Sequence, residues 1–264
     1  MKKLTKIFAL MMALVMCVAL VACGGKTAEN KDSELAKITE NGKMVIGYTI
    51  YEPMNYEENG KLTGFDTEFA EAVCEKLGVE PEFVEINWDT KFVTLDSNKI
   101  DCIWNGMTIS DEVKQNCDVS DAYVKNAQVV VMKEDALESY KDVESLKGLK
   151  FAAEAGSAGE TAIKDNGLDE KYSPVAAQTD ALLAVIGGQA DACVIDITMA
   201  KAMTADGTSY DGLGYSLELT TEEYGIGFRK GSDLAAKVNE IIAELNADGT
   251  LPALAEKYEL NLAF

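Results

Sequence analysis

From Met44 onward, short apolar runs alternate with longer stretches in which apolar residues recur every three or four positions. The run "MVIGYTI" (44–50) predicts a strand. In "GFDTEFAEAVCEKLG" Phe65, Phe69, Val73 and Leu77 fall four apart, which lines one face of a helix, and Gly78 supplies its stop. "PEFVEI" then reads as a strand, "WDTKFVTLDSN" as a helix and "KIDCIWNG" as a strand. "AQVVVMK" (127–133) is apolar without alternation, as expected where a sheet is covered on both faces.

The same signals then recur. "LKFAAEAGSAGETAIKDNG" predicts strand, turn and helix, with Ser157 and Glu160 spaced as a capping box. "TDALLAVIGGQADACVIDITMAKAM" predicts helix, strand, helix, and "YGIGFRKG" another strand. Leu234, Val238, Ile241, Ile242 and Leu245 mark the buried face of the helix that follows, and "TLPALAEKYEL" closes the chain. Strands separated by helices argue for α/β sheets with parallel strands. "DSNKIDCIW" and "GGQADACVID" use one helix-to-strand device twice, which suggests two α/β lobes with a ligand at the carboxyl ends of their strands.

The first 22 residues stand apart. Lys2, Lys3 and Lys6 precede an apolar core from Ile7 to Ala22 that is short for a spanning helix, the order of a secretory signal. Leu20-Val21-Ala22-Cys23 resembles a bacterial lipobox, which implies lipid attachment at Cys23 and tethering of the protein outside the cell. Residues 23–40 are polar and weakly periodic and are expected to form a flexible tether.

Composition narrows the chemistry. The formal charge is −21, and loss of the three leader lysines makes it more negative, which disfavours nucleic acid as a partner. There is no histidine, so Ser-His-Asp and Cys-His catalysis and histidine metal sites are closed off, and neither a metal nor a cofactor is expected. Beyond the leader and Cys23, the cysteines are 74, 102, 117 and 193, without a close pair; buried thiols are the expectation, although spacing leaves a disulfide open.

Four elements place polar or flat groups at strand ends. "GMTISDEVKQN" (106–116) turns from a strand into a helix with hydroxyls at its start, and "AGSAGE" offers glycines and free N–H groups near Ser157. Asp196 ends an apolar strand, where a buried carboxylate needs a partner such as an ammonium group. Singly, each has a plainer reading: a strand-to-helix turn, or for Asp196 a helix cap. Tyr51 and Trp88 could flank a small ligand or simply pack in the core.

Together, "GKLTGFDTEFAEAV", "GMTISDE", "AGSAGE", "ADACVID", "YGIGFRKGSDL" and "NADGTLPALAEKYEL" resemble, in order, the polar amino-acid family of solute-binding proteins of ABC importers. The resemblance implies an α/β, two-lobed periplasmic-binding-protein-like fold of type II, with two mainly parallel sheets joined by two crossover hinge segments. It puts lobe 1 at 41–127 plus 225–264 and lobe 2 at 128–224. It places Tyr51 and Trp88 around the ligand, Asn105, Gly106 and Thr108 on its amino-acid head, Ser157 and Ala158 at the second-lobe helix start, and Asp196 on the α-amino group. A monomer that hands a small ligand to a membrane permease and its ATPase is implied, without chemistry on the ligand. Dehydratases of cyclic acids and extracellular sensing modules on the same scaffold are the rivals.

One position departs from the pattern. Where the family carries an arginine that clamps the ligand's α-carboxylate, this chain has Val113. Tyr48 stands where polar and basic amino-acid binders often carry an acid, and Glu154 adds negative charge near the second helix start. Losing one partner of a buried charge pair costs about 2–5 kcal/mol. A neighbouring lysine or two helix N-termini would recover part of that, each helix end about 0.3–1 kcal/mol, up to ~2 when partly buried, which falls short of full compensation. The ligand is then either a polar amino acid held mainly by its ammonium end, which is the expectation, or a small amine without the carboxylate. Val113→Arg should raise affinity for amino acids in calorimetric titration; no rise would show that a carboxylate is not lodged at that spot.

Overall fold

The computed structural model describes residues 33–264. The expected leader, Cys23 and most of the tether lie outside the described residues. The tether expectation fails at its C-terminal end, because Glu34–Asn41 form a helix, α1, capped by the Ser33 side chain and stopped by Gly42 in the left-handed region. Its polar sequence hid one anchor, Ile38, which is buried, and one ion pair, Glu34 with Arg229.

Two mixed sheets carry the chain. The first contains β1 (Lys43–Tyr48), β4 (Glu80–Glu85), β5 (Cys102–Thr108), β6 (Asp118–Val119), β7 (Val124–Asn126) and β13 (Glu222–Phe228). Its order is β4-β1-β5-β13-β6, with β7 also on β13. The second contains β8 (Gln128–Lys133), β9 (Phe151–Glu154), β10 (Tyr172–Val175), β11 (Ala192–Asp196) and β12 (Leu213–Glu218), ordered β10-β9-β11-β8-β12. The strands β1, β4 and β5 are mutually parallel, as are β9, β10 and β11. However, β8 and β13 run antiparallel to their neighbours, so "mainly parallel" is corrected to mixed. The reason is topological: β8 receives the chain from the first sheet and β13 returns it, so each enters its new sheet against the direction of the resident strands.

Helices cover the faces where the periodicity places them. α2 (Phe65–Leu77) buries Phe65, Phe69 and Val73, and α8 (Leu234–Ala247) buries all five predicted positions. Each such side chain contributes about 1.5–3 kcal/mol when fully removed from water. α3 (Lys91–Asp96) follows a 3-10 turn at Trp88–Thr90. α4 (Asp111–Asn116), α5 (Ala158–Asp165), α6 (Gln178–Ile186) and α7 (Ile197–Met203) each start just beyond a strand end, and α9 (Thr250–Lys257) packs near α8. The hairpin of β2 (Tyr56–Glu58) and β3 (Lys61–Thr63) escapes the periodicity reading, although its turn, Asn59-Gly60, has both residues in the left-handed region, the usual chemistry of a tight hairpin. All four described cysteines are free and buried.

Arg229 is a structural rivet. It pairs with Glu34 and Asp101, and its Nη1 donates to the carbonyls of Leu95 (3.0 Å) and Ile100 (2.5 Å). It thereby joins α1, the end of α3 and the approach to β5, well apart from the cleft described below. Arg229→Ala should lower unfolding free energy by about 3–5 kcal/mol, the cost of stranding partly buried acids. Chemical denaturation reads the loss, and ligand affinity of the folded protein should stay within about twofold; a large affinity loss would mean that Arg229 reaches the ligand.

Candidate functional site

A cavity of about 420 Å³ opens between the two sheets at the ends of β5, β9 and β11. Strands deliver side chains to it from both sides. β5 brings Asn105, Gly106 and Thr108, β9 ends in Glu154, β11 ends in Asp196, and β13 begins with Glu222. The turn before α5 supplies Gly156, Ser157 and Ala158; Trp88, Lys91 and Val113 complete the facing wall.

Asp196 is the hub. Although it occupies the residue before α7, its side chain caps nothing there. Instead its Oδ1 accepts from Asn126 Nδ2 (2.5 Å), Tyr224 Oη (2.8 Å) and Gln128 Nε2 (2.9 Å). The same two amides also donate to Glu222 Oε1, at 2.6 and 2.7 Å. Two carboxylates from different sheets therefore share one pair of donors, which holds them close together. Burial and the neighbouring Glu222 charge push the Asp196 carboxyl up to about 7.

Glu154 is the second acid. It is 3% exposed, and its buried Oε1 has no hydrogen-bond partner among the described residues. Burial, helped by the Asp196 charge, pushes it up to about 8, with Lys91 acting against the rise. Lys91 is a lining cation; the sequence reading allowed for a neighbouring lysine without identifying which. It is 4% exposed, and burial lowers its affinity for a proton. Its Nζ donates to Gly156 O (2.8 Å) across the cleft and to Trp88 O (3.3 Å), and lies 4.9 Å from the Trp88 ring centroid. Its charge is thus turned into the wall, bridging the two rims.

Several predicted ligand groups are already occupied. Asn105 donates to Thr49 O and Asn55 Oδ1 and accepts from the Thr49 hydroxyl. The Gly106 N–H donates to Asp66 Oδ2 at 2.6 Å, and Thr108 Oγ1 donates to Glu222 Oε1 at 2.7 Å. Gly106 has φ +56°, and a Cβ there would lie 2.7 Å from the Tyr51 ring, so only glycine fits. The Asp66 that fixes it comes from the first turn of α2, is fully buried, and is pushed up to about 7 by burial against the opposing pull of its hydrogen bonds.

Eight of the ten predicted residues line this cavity, and Tyr48 and Tyr51 do not. Tyr48 ends β1 and packs edge-on to Phe83. Tyr51 is 2% exposed, with its hydroxyl 2.5 Å from both Thr198 Oγ1 and Tyr224 Oη. Its ring packs against Gly106. Val113 lines the cleft, its N–H accepted by the Ser110 hydroxyl. Ser157 caps α5 by accepting from the Glu160 N–H (3.1 Å), while Glu160 reaches back to the Gly156 N–H. Besides leaving Lys91 unidentified, the sequence reading missed Glu222; its place beside another strand's end was the only signal, and that requires the fold.

The profile of the bacterial extracellular solute-binding proteins, family 3, matches residues 44–261. The L-cystine-binding protein TcyJ of Escherichia coli K12 is 34% identical over 92% of both chains. The arginine-binding extracellular protein ArtP of Bacillus subtilis is 30% identical over 94% of this chain and 96% of its own. Among solved structures, the ancestral amino acid-binding protein AncCDT-1, a precursor of cyclohexadienyl dehydratase, superposes with a TM-score of 0.79 at 32% identity, covering 86% of this chain and 99% of its own. Two mixed sheets with an acid-lined cavity between them thus coincide with a match across nearly all described residues, and the chain belongs to the bacterial extracellular solute-binding proteins, family 3.

Proposed function

We propose that this chain is the extracytoplasmic substrate-binding component of an ABC importer, and that it captures an amino acid, or an amine derived from one, between two lobes and delivers it to a permease and its ATPase. The lobes are residues 41–127 with 225–264, and 128–224. The observation that carries the reading is the Asp196–Glu222 pair: a buried and a half-buried acid from different sheets, facing one cavity, with no ion-pair partner for either among the described residues. An ammonium group entering there binds elements of both lobes at once, so it favours the closed arrangement by differential affinity. The relatives named for cystine and for arginine suit an ammonium-bearing ligand of this size.

The N-terminal reading belongs to the same proposal. Residues 1–22 are a secretory signal, Cys23 carries the lipid, and a short tether holds a monomer at the outer face of the membrane. Full-length protein should sediment with membranes and Cys23→Ser should appear in the soluble extracytoplasmic fraction; equal partition of both would remove the anchor.

The ligand leaves chemically unchanged. A buried carboxyl near 8, as at Glu154, would suit a general acid, and AncCDT-1 is named as the precursor of a dehydratase. Mass spectrometry of ligand recovered after prolonged incubation distinguishes the two, since a receptor returns it intact. Asp196→Asn should weaken capture by roughly 30-fold or more, from the about 2–5 kcal/mol cost of an unpaired charge. X-ray scattering should show compaction of the wild type on saturation; unchanged affinity in the variant, or an unchanged scattering profile, would refute the proposal.

A further inference from the structure

We infer that the solute is a small dication without a carboxylate, an aliphatic diamine or guanidino-amine, with one cationic end at Asp196 and Glu222 and the other at Glu154. The inference rests on the cleft being the solute site and specifies the chemistry of its occupant.

The balance of donors and acceptors points this way. Six residues lining the cavity are acids and one, Lys91, is a cation. An α-carboxylate needs charged or free donors, and on the first-lobe wall the strand-end donors are taken, which leaves the opening N–H groups of α4, at Asp111 and Glu112, on two acidic residues. Gly106 N–H goes to Asp66, Thr108 hydroxyl to Glu222, Val113 N–H to Ser110, and Lys91 to the carbonyls of Gly156 and Trp88. What remains opposite is neutral: the Ser157 hydroxyl and the opening N–H groups of α5, between Glu154 and Asp196 in sequence. A carboxylate placed there would face the buried Glu154 and Asp196 and the half-buried Glu222, while Lys91, the cation among the lining residues, is turned into the wall.

On the acceptor side the surplus is equally specific. Glu154 is at least nine-tenths buried and lines the cavity, with Oε1 unpartnered among the described residues. Asp196 accepts three donors on Oδ1 alone. A compact metal ion is not the complementary occupant, because among the described residues no group of three or more acidic or cysteine side chains is spaced to hold one. Two cationic ends answer acids delivered by different strand ends, Glu154 by β9 and Asp196 with Glu222 by β11 and β13, and 420 Å³ falls in the range of small-molecule sites.

Titration adds a second readout. The groups around these acids are Lys91, Asp180, Asp196 and Glu222, of which only Lys91 opposes protonation of Glu154. A bound dication favours the ionised carboxylates, so binding releases protons and affinity falls as pH drops from 8 to 6. Without ligand the sign reverses. The folded-state values of about 8 for Glu154 and about 7 for Asp196 lie above the ordinary carboxylate range, so these groups stabilise the fold at low pH, and that contribution is lost as pH rises through 7–8.

The test uses matched pairs in calorimetry on the detergent-solubilised full chain: agmatine against arginine, and cadaverine against lysine, each pair differing only in the α-carboxylate. The amine should bind at least about 30-fold more tightly than its amino acid, with proton release seen as a buffer-dependent heat. An amino acid that binds as tightly as its amine, or more tightly, overturns this inference and leaves the importer reading standing. Silence from all four and from the other common amino acids overturns both. Glu154→Gln removes a buried charge, so it should fold, and should melt higher than wild type without ligand at pH 8, with the gap closing toward pH 5. It should also bind cadaverine at least about tenfold more weakly; wild-type affinity in this variant would overturn the inference.

Discussion

Everything at the cleft depends on two carboxylates that the fold forces together. Asp196 ends a strand of one sheet and Glu222 begins a strand of the other, yet both accept from the same amides of Asn126 and Gln128. Those amides flank Ala127, where the chain passes from the first sheet to the second, and Glu222 stands where it passes back. The acid pair is therefore built from the crossings themselves. A buried charge without a counter-ion costs several kcal/mol, and four hydrogen bonds soften that cost without cancelling the repulsion between like charges. What cancels it has to arrive from outside, and when it does it bears on both sheets simultaneously.

The same economy explains why the aromatic and polar residues around the site do not all touch the cavity. Tyr51, Thr198 and Tyr224 form a hydroxyl cluster that ends on Asp196, and the ring that resemblance placed against a ligand packs against Gly106. Asp66, from the Gly-Phe-Asp turn, acts one layer further out by holding the Gly106 N–H. Gly64, which opens that turn, has φ +121° and would place a Cβ 2.3 Å from the Met54 carbonyl. A signature that reads as ligand chemistry is thus mostly the scaffold that aims one strand end.

Where burial alone decides the outcome, the sequence was legible. The four-residue period of α2, the five-residue stripe of α8 and the glycine stop at 78 appear in the structure as read. Legibility fails where the outcome depends on which group claims which. Asp196 taken alone reads first as a helix cap, and only its distant partners show that its side chain turns away from the helix start. Lys91 looks like an ordinary surface lysine in "WDTKFV", because nothing local announces that Gly156, 65 residues on, will accept from it. α1 failed for the converse reason: its composition is polar, and one buried isoleucine and a distant arginine fix it.

A protein that omits the arginine expected near Val113 could have compensated by aiming another cation into the cavity. Lys91 is present but is turned into the wall, onto two carbonyls and an indole ring, so the omission is left uncompensated. Meanwhile Glu154 keeps a buried oxygen with no donor among the described residues. Without a solute cation, Glu154 and Asp196 reduce the cost of burial and repulsion by binding protons, which is why both carboxyls are pushed up toward neutral pH. Opening the cleft offers the other remedy, water. Proton, water and solute cation are then three competitors for the same carboxylates, and of these the solute alone can neutralise both acid positions while the cleft stays shut.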